Sequence, residues 1–316
     1  MRDPKVSVIV ATRNRPVLLN RAVDSILGQS HQDFEMIIID DASDEESQEN
    51  LEEIKRKDAR IKLIRNEKNL GPGKTRNIGI ANAKGEYIAI MDDDDISLPQ
   101  RLFQQQEILN NDQGIGLVFS SVGWMNENLE VYEIFPSIVR RGEFPKEPEQ
   151  VFKLLYLESN KIPDTTIMVR KSIMQNVGYP ETIWIGLDWL LCLRLAALGV
   201  RMMAIPEPLV LVRRDSATSG LMSNKESAFK AQRQVLYTIR TWLTEKDIHE
   251  FDSLHRLAFS CQLINEARFW CGFRGLGLAT KAIIVAPNNS KAWSTLFWFI
   301  DRSLKKTRRL FASKAE

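Results

Sequence analysis

The chain has 316 residues, 44% of them hydrophobic and 27% charged, a balance that buries a core and excludes disordered and fibrous classes. Its 43 basic and 41 acidic residues leave a net charge of +2, so nothing in the average calls for a nucleic-acid partner. Cys192, Cys261 and Cys271 are odd in number and lack CxxC spacing, which argues against a disulfide framework or a zinc site and fits a reducing compartment.

Val6 to Ala11 is a continuous apolar, β-rich run, the pattern of a strand buried on both faces. It is too short for the core of a signal peptide, and no stretch of about 20 apolar residues follows that would span a membrane. Leu18, Leu19, Ala22, Val23, Ile26 and Leu27 then recur at helical spacing between Pro16 and Gly28, a start and a stop. Phe34 to Ile39 predicts a second buried strand, Glu46 to Asp58 a charged helix, Ile61 to Ile64 a third strand, Thr75 to Ala83 a helix of small residues and Tyr87 to Met91 a fourth strand. This alternation predicts an α/β fold, a mostly parallel sheet flanked by helices. Beyond it, strands are expected at Leu117 to Trp124, Thr166 to Arg170, Met202 to Ile205 and Leu209 to Val212, with a helix from Trp189 to Leu198 closed by Gly199. From about Asn224 the pattern is helical to the end, broken at Pro287.

In parallel sheets ligands bind beyond the carboxyl ends of the strands. Polar residues gather there: Thr12 to Arg15, Asp40 and Asp41, and the run Asp92-Asp93-Asp94-Asp95. Four adjacent carboxylates repel one another unless a cation sits among them, and Mg²⁺ or Mn²⁺ takes one or two carboxylates together with phosphate oxygens and water. The bland reading is a solvated acidic loop or a helix cap; the position after a buried strand favours the metal. An EF-hand is excluded by the missing loop glycine and distal glutamate. Gly71-Pro72-Gly73-Lys74-Thr75 looks like the end of a P-loop, which makes a P-loop-like NTPase the main rival. That motif needs glycine where the chain has Lys68, and the strand with the aspartates follows after little more than one helix. A GxGxxG fingerprint is absent because Arg76 stands at its last position.

Taken together, the segments VSVIVATRNRPVLLNRAVDSILGQSHQDFEMIIIDDASDEE and NLGPGKTRNIGIANAKGEYIAIMDDDDISLP resemble the opening blocks of the family 2 glycosyltransferases, and the likeness runs from about Val6 to Ser219. The resemblance implies a GT-A fold and an inverting transfer of sugar from a nucleotide-sugar, with UDP as the expected carrier. It implies that Ala11, Thr12, Arg13, Asn14 and Asp41 face the nucleobase end of the donor, with Arg13 where the family often has tyrosine. Lys74 and Arg76 match positions near the diphosphate, Asp92 and Asp93 the ribose-facing part of the DxD motif, and Asp94 its metal ligand, for Mn²⁺ or Mg²⁺. Trp184 to Leu195 resembles the ED motif, with Asp188 as catalytic base and Leu187 in place of the usual glutamate; a helix N-cap is its structural alternative. Arg213 and Arg214 stand where an arginine near the diphosphate is expected, and Asp215 replaces the histidine that often follows.

The resemblance divides the chain into residues 1–222, the glycosyltransferase domain (1–115 for the nucleotide-sugar, 116–222 for the acceptor), and a helical region, 223–316. The acceptor would be a saccharide or lipid-linked saccharide, as in cell-surface polysaccharide or glycan synthesis, with contacts expected from Trp124 to Asp164 and from Trp184. Trp242, Trp270, Trp293 and Trp298 fit core packing of the helical region. The segment Trp293 to Phe311, with Lys305, Lys306, Arg308 and Arg309, also fits an interfacial helix on an anionic membrane, hence a cytoplasmic enzyme peripheral on the inner face. A catalytically inactive nucleotide-sugar-binding protein is the second alternative.

Overall fold

The structure is a computed structural model and describes residues 3–126, 128–213, 225–270 and 272–299. The chain forms two compact units, one of residues 1–155 and 160–223, the other of residues 156–159 and 224–316.

The first unit is built on a nine-stranded mixed sheet. Its strands are β1 (Val6–Thr12), β2 (Phe34–Asp40), β3 (Ile61–Arg65), β4 (Tyr87–Asp92), β5 (Ile96–Ser97), β6 (Ile115–Met125), β7 (Val131–Phe135), β8 (Met168–Arg170) and β9 (Arg201–Arg213). The order is β3-β2-β1-β4-β8-β6-β9-β5, with β7 on β6. β3, β2, β1 and β4 are parallel; β8 enters antiparallel to both β4 and β6. β1 therefore lies between β2 and β4, and the chain leaves it first to one side and later to the other. This switch point opens a crevice at the strands' carboxyl ends.

Helices α1 (Pro16–Leu27), α2 (Glu45–Arg56) and α3 (Pro72–Asn82) make the parallel crossovers; α4 (Arg101–Asn111), α5 (Ser137–Arg140), α6 (Pro148–Glu158), α7 (Lys171–Val177) and α8 (Leu187–Ala197) follow. α1 buries Leu19, Ala22, Val23 and Ile26, a single stripe at helical spacing, against Val8, Val10, Met36 and Ile38 of the sheet. Burying Leu19, Val23 and Ile26 stabilises the fold by about 1.5–3 kcal/mol each. α2 is capped by Asp44, whose carboxylate accepts the Ser47 N–H at 2.9 Å, and carries Glu45 and Glu46 in its first turn with Lys55 and Arg56 in its last, both matched to the helix dipole.

α3 begins at Pro72, three residues before the expected Thr75. The Gly-Pro-Gly stretch is thus the helix entry itself. Gly79 lets this helix settle on the sheet: a Cβ there would lie 2.5 Å from Ile39 Cδ1 and 2.7 Å from Ile9 Cγ2. The two strands expected at 202–205 and 209–212 are one, β9. Proline at 206 and 208 cannot donate to the ladder, so the pairing with β6 shifts register around Ser121 and then resumes.

Arg101 of α4 is wholly buried beneath the acidic turn. Its Nη2 donates to the Ile90 carbonyl at 2.6 Å and its Nε to Gln105 Oε1 at 3.2 Å, while Gln105 Nε2 donates to the Thr166 carbonyl at 2.6 Å. The pair ties α4 to the end of β4 and the segment entering β8.

The second unit contains α9 (Lys225–Glu245), α10 (Asp252–Trp270) and α11 (Gly272–Val285), and residues 290–299 are again helical after a turn around Pro287. Leu263, Ile264, Ala282 and Ala292 form one small core; Ala267, Ala279 and Phe299 form another. Among the described residues no helix is long and apolar enough to cross a membrane.

Candidate active site

The crevice at the switch point is a cleft of about 500 Å³. Ala11, Thr12, Arg13, Asn14 and Arg15 line it from the end of β1, Asp41 from β2, Asn69, Gly71, Pro72, Thr75 and Arg76 from the entry to α3, Asp92 to Asp94 from β4, and Trp184 from the segment before α8. Nearly all the residues expected at the donor site are thus gathered by one sheet edge. Lys74 is exposed and does not line the cleft, and Arg213 lies instead beside Asp94 in a small adjoining pocket with Leu18 and Arg21. Arg214 and Asp215 lie outside the described residues, as do Lys305, Lys306, Arg308 and Arg309.

Asp41 shapes the loop on its side of the cleft. Its Oδ1 accepts the Leu70 N–H at 2.8 Å and Asn66 Nδ2 at 2.9 Å, and its Oδ2 accepts the Gly71 N–H at 3.0 Å. The Gly71 N–H at the head of the P-loop-like stretch, and the Leu70 N–H before it, therefore meet a carboxylate of the same chain. Gly71 has a φ of +82°, open to glycine at little cost, and the Trp184 indole lies where a side chain would be, 2.8 Å from the position of a Cβ. Asn14, also left-handed at φ 55°, accepts the Asp44 N–H at 2.9 Å and so joins the β1 loop to α2.

The four aspartates diverge. Asp92 and Asp94 keep partly exposed carboxylates at the cleft. Asp93 turns inward and accepts Thr12 Oγ1–H at 2.7 Å. Asp95 is buried away from the cleft and accepts the Arg213 N–H at 3.2 Å. Burial, with the neighbouring Asp92 and Asp93 charges, pushes the Asp94 carboxyl up to about 6; Arg15 opposes this. Burial raises Asp93 and Asp95 as well. Arg15 was not among the expected site residues, yet its guanidinium spans Asp93 at 3.4 Å and Asp94 at 3.0 Å. Its place in the polar segment Thr12 to Arg15 was the available signal.

Arg76 is the hub of a second network. Its Nη2 donates to Asp92 at 2.5 Å and lies 3.6 Å from Asp164, in a short 3₁₀ turn, Asp164–Thr166. Tyr179 donates to Asp164 Oδ1 at 2.6 Å. Burial pushes Asp164 up to about 7, aided by Asp92 and Asp188 and opposed by Arg76. Thr165 accepts the Asp92 N–H at 3.3 Å.

Asp188 is not the helix cap: Gly186, at φ +77°, holds that position and Asp188 lies inside the first turn of α8. It is partly buried, and burial raises its carboxyl while the Trp189 N–H, Asn160 and Arg76 draw it back. Asn160 Nδ2 donates to Asp188 Oδ2 at 2.8 Å. Asn160, Asp164 and Thr165 fall in a loop whose sequence carries no motif, and only their contacts expose them. Among the described residues no group of three or more histidines, cysteines or carboxylates forms a ready metal cage. The donor set at Asp94 suits a hard cation that completes its shell with phosphate oxygens and water.

The comparisons agree with this architecture. The glycosyl transferase family 2 model matches residues 7–176, ending before Asp188. A glycosyltransferase of Methanocaldococcus jannaschii is 32% identical over 252 residues, covering 78% of this chain and 82% of that protein. The Campylobacter jejuni GalNAc(5)-diNAcBac-PP-undecaprenol β-1,3-glucosyltransferase is 29% identical over 192 residues, covering 58% of this chain and 60% of that one. Some relatives are much longer, and the chain spans 31% of their length. Among solved structures, Staphylococcus aureus TarS 1–349 with UDP-GlcNAc superposes with a TM-score of 0.61 at 17% identity, over 97% of this chain and 92% of that one. A Pyrobaculum calidifontis mannosyltransferase with GDP-Man and Mn²⁺ gives 0.56 at 17% identity, over 96% and 87%. These likenesses bear out the GT-A fold. The family model spans more than half of the chain and agrees with the curated relatives, and the chain therefore belongs to glycosyl transferase family 2, an enzyme that transfers glycosyl groups.

Proposed function

We propose that this enzyme takes a sugar from a UDP-sugar and delivers it, with inversion, to a hydroxyl of a saccharide or lipid-linked saccharide. One observation carries the reading: Asp92, Asp94 and Arg76 line one cleft with Arg13 and Asp41, and Arg76 pairs with Asp92 there. Residues 1–115 form the donor half, 116–222 the acceptor half and 223–316 a helical appendage.

Arg13, Asn14 and Asp41 lie at the base end of the cleft and Arg76 at its diphosphate end. The guanidinium of Arg13 is exposed and planar, suited to stacking on a pyrimidine. Asp94, with Asp92 beside it, would hold Mn²⁺ or Mg²⁺. Burial and then the neighbouring carboxylate charges raise the Asp94 carboxyl; a cation held there would offset those charges and would supply Lewis-acid stabilisation of the diphosphate leaving group. Asp188 takes the acceptor hydroxyl's proton as that oxygen attacks the anomeric carbon from the face opposite the leaving group. A single displacement inverts the centre, through a transition state with oxocarbenium character.

The lipid-linked acceptor draws support from the Campylobacter relative, a glucosyltransferase named for an undecaprenol-linked saccharide. Trp293, Phe297 and Trp298 are exposed on the helical residues 290–299, in keeping with peripheral contact at the inner face of a membrane. Co-sedimentation with vesicles containing anionic lipid, lost on deleting residues 293–316, is the expected result; equal binding without them removes the membrane from the proposal.

The test of function is a panel of UDP-, GDP- and TDP-sugars with Mn²⁺, run on the wild type and Asp188→Asn. Transfer from a UDP-sugar, reduced by about 10²–10⁴-fold in Asp188→Asn with UDP binding kept, supports the reading. Preference for GDP- or TDP-sugars overturns the choice of UDP. ATP hydrolysis without sugar would point to the NTPase instead, and binding without turnover to an inactive module.

A further inference from the structure

Asp188 stands on a rigid base. Trp189 and Leu190 beside it are buried, and Trp189 Nε1 donates to the Leu155 carbonyl at 2.9 Å. Its backbone is thus anchored, but a carboxylate on one methylene can still rotate. An aspartate that must accept a proton along one direction needs that rotation restrained.

Asn160 supplies the restraint. Its Oδ1 accepts the Ile162 N–H at 3.0 Å, and its Nδ2 donates both to the Ile162 carbonyl at 3.0 Å and to Asp188 Oδ2 at 2.8 Å. Both amide hydrogens are used. The opposite amide orientation would set oxygen against a carbonyl and a carboxylate and nitrogen against an N–H, so the network admits one orientation only. Ile162 is buried and Pro163 follows it, so the loop fixes the amide plane independently of Asp188. One hydrogen closes the loop's own turn; the other is aimed at the carboxylate.

We propose that Asn160 is a positioning residue for Asp188, holding one carboxylate oxygen so that the other is presented to the acceptor hydroxyl. The proposal rests on the reading of Asp188 as base. The charged and titratable groups that face Asp188 are Arg76 from α3, Asp92 from β4, Asp164 from the 3₁₀ turn and Cys192 one turn along α8. The Trp189 N–H also bonds the carboxylate, but as part of the backbone it stays in every Asn160 variant, so those variants report the amide alone.

Two variants separate the loop from the carboxylate. Asn160→Ala removes both interactions. Asn160→Ser keeps an oxygen that can accept the Ile162 N–H, as serine does in turns, but is too short to reach Asp188. With the donor identified by the panel, both variants are expected to lose at least tenfold in kcat at neutral pH, with donor KM and the affinity for UDP with Mn²⁺ within about twofold of wild type. The acid limb of the kcat profile should move up by about one pH unit, because a hydrogen bond to the charged form is gone. In an Asp188→Asn background, Asn160→Ser should change the residual rate little, since there is no carboxylate left to hold.

An Asn160→Ser enzyme with wild-type kcat and pH profile overturns the proposal and leaves Asn160 a loop residue. So does an equal loss of rate in both backgrounds, which also decides the case if the variant unfolds more easily. Should Asp188→Asn itself transfer at the wild-type rate, the base assignment fails first, and that outcome is distinct from the other two.

Discussion

Asp164→Asn isolates the electrostatics of the buried network. The Asp164 side chain is 11% exposed, and its carboxyl is pushed from an ordinary 3.8 up to about 7. Because the folded chain holds this proton more tightly than the unfolded one, the stability it contributes is fully present below the unfolded value. It is lost as pH rises through about 7. Between pH 5 and 8 roughly two units of that shift are crossed, worth about 3 kcal/mol at ~1.4 kcal/mol per unit. At ~2 °C per kcal/mol for a chain of this size, Tm should fall by about 6 °C from this group alone. The carboxylates whose values are lowered, Glu35, Asp44, Asp58, Glu86 and Glu143, stay ionised throughout this window and add no slope. Asp94, Asp93, Asp95 and Asp188 slope the same way but remain in the variant. Asparagine keeps an oxygen for the Tyr179 hydroxyl while removing the titration. Thermal unfolding at pH 5 and pH 8, without divalent cations, should therefore give a shallower fall in Asp164→Asn by about 6 °C. Equal slopes in the two proteins would refute the reasoning.

Gly71→Ala forces a side chain into the left-handed region and onto the Trp184 indole; a loss of about 1–3 kcal/mol is expected, with a shift in tryptophan emission and weaker UDP binding, and an unchanged spectrum would contradict it. Asp41→Asn puts an amide nitrogen in place of one carboxylate oxygen, against either the Gly71 N–H or the Leu70 and Asn66 donors. It should cost about 1–3 kcal/mol in urea unfolding and weaken nucleotide affinity in calorimetry. Arg101→Met strips the partner from the Ile90 carbonyl and from Gln105 and leaves Asp95 without its facing cation. Urea unfolding should register a loss of about 3–5 kcal/mol, whereas a loss below about 1 kcal/mol would mean that the guanidinium's bonds barely offset its own burial.

The parallel half of the sheet was legible because local pattern and final environment coincide there. VSVIVAT and FEMIIID are buried at nearly every position, so an unbroken apolar run could mean little else, and the polar residues that follow had to fall at the carboxyl edge. The acceptor half was less so. β7 is largely exposed along its length and β5 is two residues long, so neither carries a period; α6 and α7 depend on what they pack against. β9 read as two strands because proline interrupts the ladder, and only pairing with β6 holds the pieces in one line.

The amino-acid order alone determined which chemistry was present: an acidic turn after a buried strand, arginines beside it and an aspartate at the head of an apolar helix. Tertiary structure decided which groups meet. It turned Asp93 and Asp95 inward while leaving Asp92 and Asp94 at the cleft, drew Arg76 between Asp92 and Asp164, and brought Asn160 to Asp188 across 28 residues. The physical reason is range. Periodicity and capping act over a few residues, whereas the field at a carboxylate and the hydrogen bond that aims it are set by neighbours that only folding brings near.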